Sequence, residues 1–344
     1  MHVEGKLVLT SFTPDGKPQQ LLTNRFDALL ERGAWSITTH FATNLFETYA
    51  WDGKNTYGLL WDGTPSGRSL DSPAIIRRGA YPLDGHAITR VAWVAFVPTV
   101  CGRECLDDLV FVPWGVAGSE GARSCRVAAS FTENGLLLQE LLFRNSLELW
   151  QKELQFKNLE PKRHPSIFRD GETVGVYNTL TSTNVFGFTI PTHFRMQRFA
   201  LAAKGKSKGV MESIEGSATS VTRSAVGVTL PSLTKATSVF DFRFGDDAQE
   251  FLNIRYRLTN AIAGWRPMSD PELVAAAAEA RMDYPAFFAS LYPGERPVWT
   301  VKKAIGLGFV SAALLFPIII FLRHRMVTRT RQKGAIQPQN ITTQ

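Results

Sequence analysis

Cysteine is nearly missing from this chain of 344 residues, which has only Cys101, Cys105 and Cys125. Three is too few, and an odd number, for a disulfide-dense scaffold, so stability has to come from a buried core. Cys101 and Cys105 stand close enough to bridge, or to offer two metal ligands. No histidine lies between Cys101 and Cys125 to complete a metal set. Small buried residues or one incidental disulfide is the reading preferred to a metal or redox centre, and the pairing itself is left open.

Catalytic signatures are missing as well. There is no Gly-x-Ser-x-Gly elbow, and Gly118-Ser119-Glu120-Gly121 lacks its spacing. The six histidines are scattered singly, without His-Glu-x-x-His or His-x-His. His40, His86, His164 and His193 therefore read as hydrogen-bonded surface or core residues. Asp107-Asp108 and Asp246-Asp247 are adjacent carboxylates, which on a strand point to opposite faces and cannot work as an acid and base pair. Lys204 to Lys208 lacks the Gly-x4-Gly-Lys-Ser/Thr phosphate loop. The expectation is a protein that is not an enzyme, with no cofactor and no catalytic, cofactor-binding or metal residue assigned.

Acidic residues are lacking from Lys302 to the end, where seven Lys and Arg stand without an Asp or Glu. Of 38 basic residues this leaves 31, matched by 31 acidic ones, in the rest of the chain. The net charge of +7 therefore belongs to the C-terminal segment, and no nucleic-acid partner is expected. In that segment Ala304 to Leu322 is a run of 19 residues without a charge, about 28 Å as a helix, enough to cross a bilayer. Trp299, Lys302 and Lys303 before it, with Arg323 and Arg325 after it, are expected interface anchors. Ala304, Gly308 and Ala312 form a small-residue stripe on which two such helices could meet, giving a possible homodimer. Pro317 is tolerable there and can kink the span.

The flank after the span is richer in Lys and Arg than the flank before it, which places the tail in the cytoplasm and the bulk of the chain outside it. Met1 to Glu4 runs straight into a strand pattern with no export signal, so the reading frame is expected to begin upstream. The alternative is a tail-anchored cytoplasmic domain. The expected division is an extracytoplasmic β domain over 1–265, a helix and Pro-rich linker over 266–303, a transmembrane helix over 304–322 and a disordered basic tail over 323–344.

Present in abundance are turns and aromatics. Asp15-Gly16, Asp52-Gly53, Asp62-Gly63, Asp84-Gly85, Asn134-Gly135 and Asp170-Gly171 recur at hairpin spacing. Strands are predicted over Val3 to Phe12, Gly33 to Phe41 with Trp35, Ile37, Thr39 and Phe41 on one face, Phe46 to Trp51, and Thr56 to Trp61. A long loop follows over Gly63 to Gly85. Ile88 to Val100 fits a buried strand or a short helix. Strand-like runs resume over Val127 to Phe131, Leu136 to Arg144, Leu147 to Phe156, Glu172 to Leu180 and Asn184 to Met196, the last broken or at an edge because of Pro191. Val210 to Glu215, Thr219 to Arg223, Ser238 to Phe244 and Asn253 to Leu258 complete the set. A dozen or more strands are too many for a flat sheet, which must curl or split. A helix capped by Ser269 or Asp270 runs over Leu273 to Met282. The fold class predicted is mainly β, a large curved antiparallel sheet like a half-barrel, with a few short helices and one transmembrane helix.

With 23 Phe and 8 Trp, several alternating strands present aromatics on one face, so that a curled sheet lined this way can enclose an apolar groove or simply pack a core. This pattern over Val3 to Leu258, with hairpins such as Tyr49-Ala50-Trp51-Asp52-Gly53-Lys54-Asn55-Thr56-Tyr57, resembles the outer-membrane lipoprotein carrier and localisation-factor proteins. The resemblance implies a half-barrel that holds acyl chains against a plug of short helices, and a similar sheet in periplasmic regulators senses lipoproteins. This chain is longer than those domains and adds a span, so no functional residue carries over. The expected role is a membrane-anchored binding protein for a lipid, lipoprotein or cell-envelope partner. The alternative is a structural or assembly component of a membrane complex with no ligand pocket.

Overall fold

The computed structural model describes residues 1–13, 15–42, 45–62, 73–82, 86–106, 125–133, 135, 137–156, 169–199, 209–233, 237–245, 252–258 and 264–291. The chain divides into two units, Met1–Tyr292 and Pro293–Gln344, and the second lies outside those residues. The strands are β1 (His2–Phe12), β2 (Pro18–Glu31), β3 (Ala34–Ala42), β4 (Leu45–Trp51), β5 (Asn55–Asp62) and β6 (Pro73–Arg78), then β7 (Cys125–Phe131), β8 (Leu138–Asn145), β9 (Thr173–Val185), β10 (Phe188–Phe199), β11 (Val210–Thr222), β12 (Ser238–Asp241) and β13 (Ile254–Arg257). The helices are α1 (Ala87–Cys101), α2 (Leu147–Phe156) and α3 (Pro271–Leu291).

All thirteen strands join one open sheet in the order β13-β12-β6-β5-β4-β3-β2-β1-β11-β10-β9-β8-β7. It is mixed where an antiparallel sheet was expected, every pair but one being antiparallel. β12 runs parallel to β6, because the chain reaches it by a long excursion after β11 and not by a hairpin.

Alternation along the strands decides what the sheet surrounds. Val3 and Leu7, Phe26, Ala28 and Leu30, Trp35 and Ile37, Phe194 and Met196, and Ile214 all face one side and are buried. Against that side lies α1, whose residues from Ile88 to Pro98 are buried without a break. From Val91 to Pro98 the helix is apolar on every side and has to be enclosed, and α1 touches β2, β3, β8, β10 and β11. In the sheet β3 and β8 stand six strand spacings apart, about 29 Å if flat, against a helix about 22 Å long. The sheet therefore curls around the helix. Ile88 to Val100, open between strand and helix on the sequence, is helical because length favours it: 15 residues exceed most strands.

Three glycines make the curl possible. Gly5 faces Phe26, Gly58 faces Tyr49 and Gly216 faces Phe194 across neighbouring strands. In each pair the ring lies over the glycine so closely that an added methyl would overlap it. This is aromatic cover of a strand glycine, and it lets the backbone bend while keeping the face apolar. Phe96 of α1 then seats between two of those rings, 5.4 Å from Phe26 and 5.5 Å from Phe194, the latter edge-on.

A second, smaller core lies on the other side of the sheet. Tyr57, Leu59, Ala74, Ile76, Val239 and Leu258 are covered there by Leu230, Leu233 and Trp265. Beyond it α3 packs Leu273 and Ala277 on Phe244, Leu252 and Ile254. Asp270 caps α3 as expected, its Oδ1 accepting the Glu272 N–H at 3.0 Å.

Several boundaries differ from expectation. β2 was not predicted; Leu21 and Leu22 are exposed in its first half, which hides the alternation. β6 lies inside the stretch read as a loop. Leu147 to Phe156 is helix and not strand, since Trp150 and Leu154 are buried one turn apart and the Asp170 carboxylate accepts the Leu147 N–H at 2.9 Å. β11 is one strand where two were expected. β10 is broken in register at Pro191 but central, not an edge. α3 runs on through Pro285 into the predicted linker.

Gly216→Ala tests the glycine pairs. An open strand glycine gains about 0.5–1 kcal/mol from alanine, whereas overpacking against Phe194 costs about 1–3 kcal/mol. The variant is expected to unfold at lower denaturant, and Phe194→Leu in the same chain to recover part of the loss; a rise in midpoint would mean that the ring moves aside freely.

Candidate functional site

The polar residues inside the curl gather at one end of α1. Thr39 and Glu47 are directly opposed on β3 and β4, on the face that also carries Trp35, Ile37 and Tyr49. Both are buried, Glu47 at 1% exposure. A carboxyl there needs partners, and the first turn of α1 supplies them. The His86 N–H donates to Glu47 Oε1 at 2.9 Å, and His86 Nδ1 lies 2.7 Å from Oε2. The Thr89 hydroxyl bonds to both Glu47 and Thr39, the latter at 2.9 Å.

Glu47 thus does from another strand what a capping residue does locally, since His86 at the N-cap makes no side-chain cap of its own. A carboxyl group at a helix N-terminus also meets the positive end of the helix dipole. The hydrogen bond to Glu47 raises the His86 pKa above its ordinary value, partly opposed by burial. The His86 ring packs on Phe41 with centroids 4.7 Å apart. Further along, Trp93 donates its indole N–H to Ala80 O at 2.8 Å and meets Tyr81 edge-on. At the other end Gly102, with φ of 79°, ends the helix and donates to Pro98 O at 2.9 Å.

The burial of these groups does not suit nucleophilic catalysis. The Thr89 hydroxyl and Glu47 are both fully buried, so the hydroxyl presents no open side to a substrate. What the constellation can do is hold one end of an apolar helix against an apolar wall. A groove of about 490 Å³ lies on the opposite face of β1, β11 and β10, lined by Thr10, Phe12, Arg195, Gln197, Ser213 and Glu215 among others. Its charged lining sets it apart from the aromatic interior.

Of the residues singled out on the sequence, the membrane anchors Trp299, Lys302, Lys303, Arg323 and Arg325 and the stripe Ala304, Gly308 and Ala312 lie outside the described residues. So do the predicted span 304–322, Asp107-Asp108, Asp246-Asp247, His164 and the Lys204 to Lys208 loop. Among the described residues no helix is long and apolar enough to cross a membrane. Among the described residues no disulfide joins Cys101, Cys105 or Cys125. Burial pushes Cys101 up to about 12, so it is not a thiolate near neutral pH. His40 bonds to Asp27, and His193 to Thr181 at 2.9 Å. The Glu47 constellation was not read from the sequence. Its one signal was a charged residue at an inward position of an aromatic strand, Glu47 in register with Tyr49 and Trp51.

No protein-family model matches the chain, and no curated protein matches it. Among solved structures, one that it is similar to is a LolA superfamily protein from Nitrosomonas europaea, with a TM-score of 0.28 and 8% identity over 63% of this chain and 83% of that one. Another is a DUF1329 family protein from Desulfovibrio piger, with a TM-score of 0.26 and 12% identity over 66% and 87%. Neither supplies a residue to the site.

Glu47→Gln keeps the shape but gives up charge-assisted hydrogen bonds, and is expected to cost about 1.5–3 kcal/mol in a denaturant titration. A pH series reads His86. Its pKa is raised on folding, so its contribution is complete below about pH 6.5 and is lost as the pH climbs through the raised value. The half-exposed side chain keeps this under about 1 kcal/mol. His86→Gln should flatten the slope across that window, and an unchanged slope would mean that His86 does not hold the helix.

Proposed function

We propose that this chain is a membrane-anchored, non-catalytic protein that binds a lipid or the acyl chain of a lipoprotein or envelope partner, with α1 occupying the ligand's place until it is displaced. The observation that carries this reading is α1 itself. Its length from Val91 to Pro98 is apolar on every side, its polar residues Thr89 and Arg90 fall in the first turn, and it is enclosed by an aromatic sheet and latched at that end by a buried carboxyl group. An enclosed apolar helix against a curved aromatic wall leaves, when it moves, a trough with the length and lining of an acyl chain. The latch, a few hydrogen bonds at one helix end, is weaker than the packing along the helix, so release would begin there.

The uncharged run over 304–322 supports anchoring, and its flanking charges support a bulk of the chain outside the cytoplasm. Deleting those residues is expected to move the protein from the membrane pellet to the soluble fraction; a truncated chain that still sediments with membranes would count against a C-terminal anchor.

A second reading has its own support. Phe96 is wedged between Phe26 and Phe194 at contact distances, as in a permanently filled core. On that account the protein is a structural or assembly component of a membrane complex. Native mass spectrometry of the full chain released from detergent, followed by organic extraction, separates the two. A stoichiometric acyl species, or uptake of a fluorescent fatty acid that rises in Glu47→Gln, is expected for the binding protein. An apo mass together with no uptake in either form sinks that reading and leaves the scaffold.

A further inference from the structure

The face of the sheet turned away from α1 gathers two imidazoles and two carboxylates at one place. Val3, Gly5 and Leu7 point into the core, so alternation turns His2 and Glu4 outward. Phe26 and Ala28 do the same for Asp27, and buried Thr39 for His40. Register then assembles them: Glu4 stands directly opposite Asp27 on β1 and β2, and His40 on β3 lies diagonally from Asp27. His2 Nε2 is 3.7 Å from Asp27 Oδ1 and 4.0 Å from Glu4 Oε1. His40 Nε2 lies 2.9 Å from Asp27 Oδ2.

Two carboxylates directly opposed across an antiparallel pair repel each other. The next row on this face is Lys6 opposite Arg25, both exposed. Among the described residues, however, the ion contacts of Glu4 and Asp27 run to His2 and His40 and not to that row. The one donor atom that each of His2, Glu4 and Asp27 offers lies within 4.8 Å of the other two. Ligand bonds of about 2.0–2.2 Å at tetrahedral corners put donor atoms roughly 3.3–3.6 Å apart. Side-chain shifts of about an ångström or less would therefore close the set around one ion. Mixed imidazole nitrogen and carboxylate oxygen suits zinc and its late first-row neighbours and not calcium or magnesium, which take oxygen alone.

We propose that His2, Glu4 and Asp27 form a surface site for a zinc-type divalent ion, with His40 fixing the second oxygen of Asp27. Three protein ligands leave a fourth position open to water. A bound ion also turns the opposed carboxylates from a repulsive pair into the clamp that joins β1 to β2. The site lies on the side of the sheet opposite α1 and includes no residue of that helix.

The test uses the full chain with tags removed, stripped of metal and then titrated with zinc against a chromophoric chelator. One equivalent is expected. Asp27→Asn and His2→Gln should abolish competitive binding, and His40→Gln should weaken it about 10- to 100-fold. Cys101→Ser, Cys105→Ser and Cys125→Ser combined should leave it intact. Cobalt substitution of the unmutated chain reads the ligands directly, so the outcome does not hang on a variant's folding. A visible spectrum of low coordination without a thiolate charge-transfer band supports the site. A thiolate band, no retained zinc, or zinc retained equally by Asp27→Asn and His2→Gln overturns it.

Discussion

The close approach of α1 to the sheet at Gly5 and Gly216 is the constraint from which the rest of the described structure follows. A strand residue with a Cβ at either position would push its covering ring outward, and Phe96 could not seat between Phe26 and Phe194. Gly5 and Gly216 lie on paired strands, β1 and β11, at nearly the same level, since Gly5 is matched with Ala218 and Leu7 with Gly216. The sheet is thus thinnest at its centre, where the helix is deepest. Large aromatics are bought there by the smallest residue. Curvature, helix burial and the apolar lining are one packing solution and not three.

Enclosure then dictates the polar chemistry. Helix ends leave N–H groups unsatisfied, and a helix sunk in an apolar trough cannot give them to water. Glu47 is the answer, and its burial is tolerable because the helix end surrounds it with the His86 N–H, the His86 ring and the Thr89 hydroxyl. The same logic appears at the far end of the sheet, where buried Asp241 holds the buried Arg243 guanidinium through Nε at 2.9 Å, and Arg243 in turn donates to Arg266 O at 2.7 Å. Each buried charge in these two places is surrounded by hydrogen bonds.

Local chemistry in the sequence reached the strands and their turns well. The hairpin around Asp52 formed as read, with Asp52 Oδ1 accepting the Asn55 N–H at 2.8 Å, and the inward set Trp35, Ile37 and Thr39 is buried. Where two readings competed locally, only tertiary context settled them. Leu147 to Phe156 has residues that suit either period, and it is helical because a carboxylate from Asp170, distant in sequence, meets its first turn. The parallel pairing of β12 with β6 has no local signature at all, because it depends on where a long connection returns. The helix latch was hidden for a similar reason: 39 residues separate Glu47 from His86, and no spacing rule joins a strand carboxyl to a helix it caps from outside.

The two faces of the central strands carry different kinds of chemistry, and the period of the strand is what separates them. On β1, β2 and β3 the inward positions are glycine, aliphatic and aromatic except for Asn24 and Thr39, and they form the wall that meets α1. The outward positions of the same strands bring His2, Glu4, Asp27 and His40 together. A one-residue slip in register would exchange the two sets, placing carboxylates against Phe96 and rings in water. Burial on one face therefore fixes the spacing of the charged groups on the other. Whatever the outer cluster binds, its geometry is held by the packing of the helix behind it, without either side touching the other.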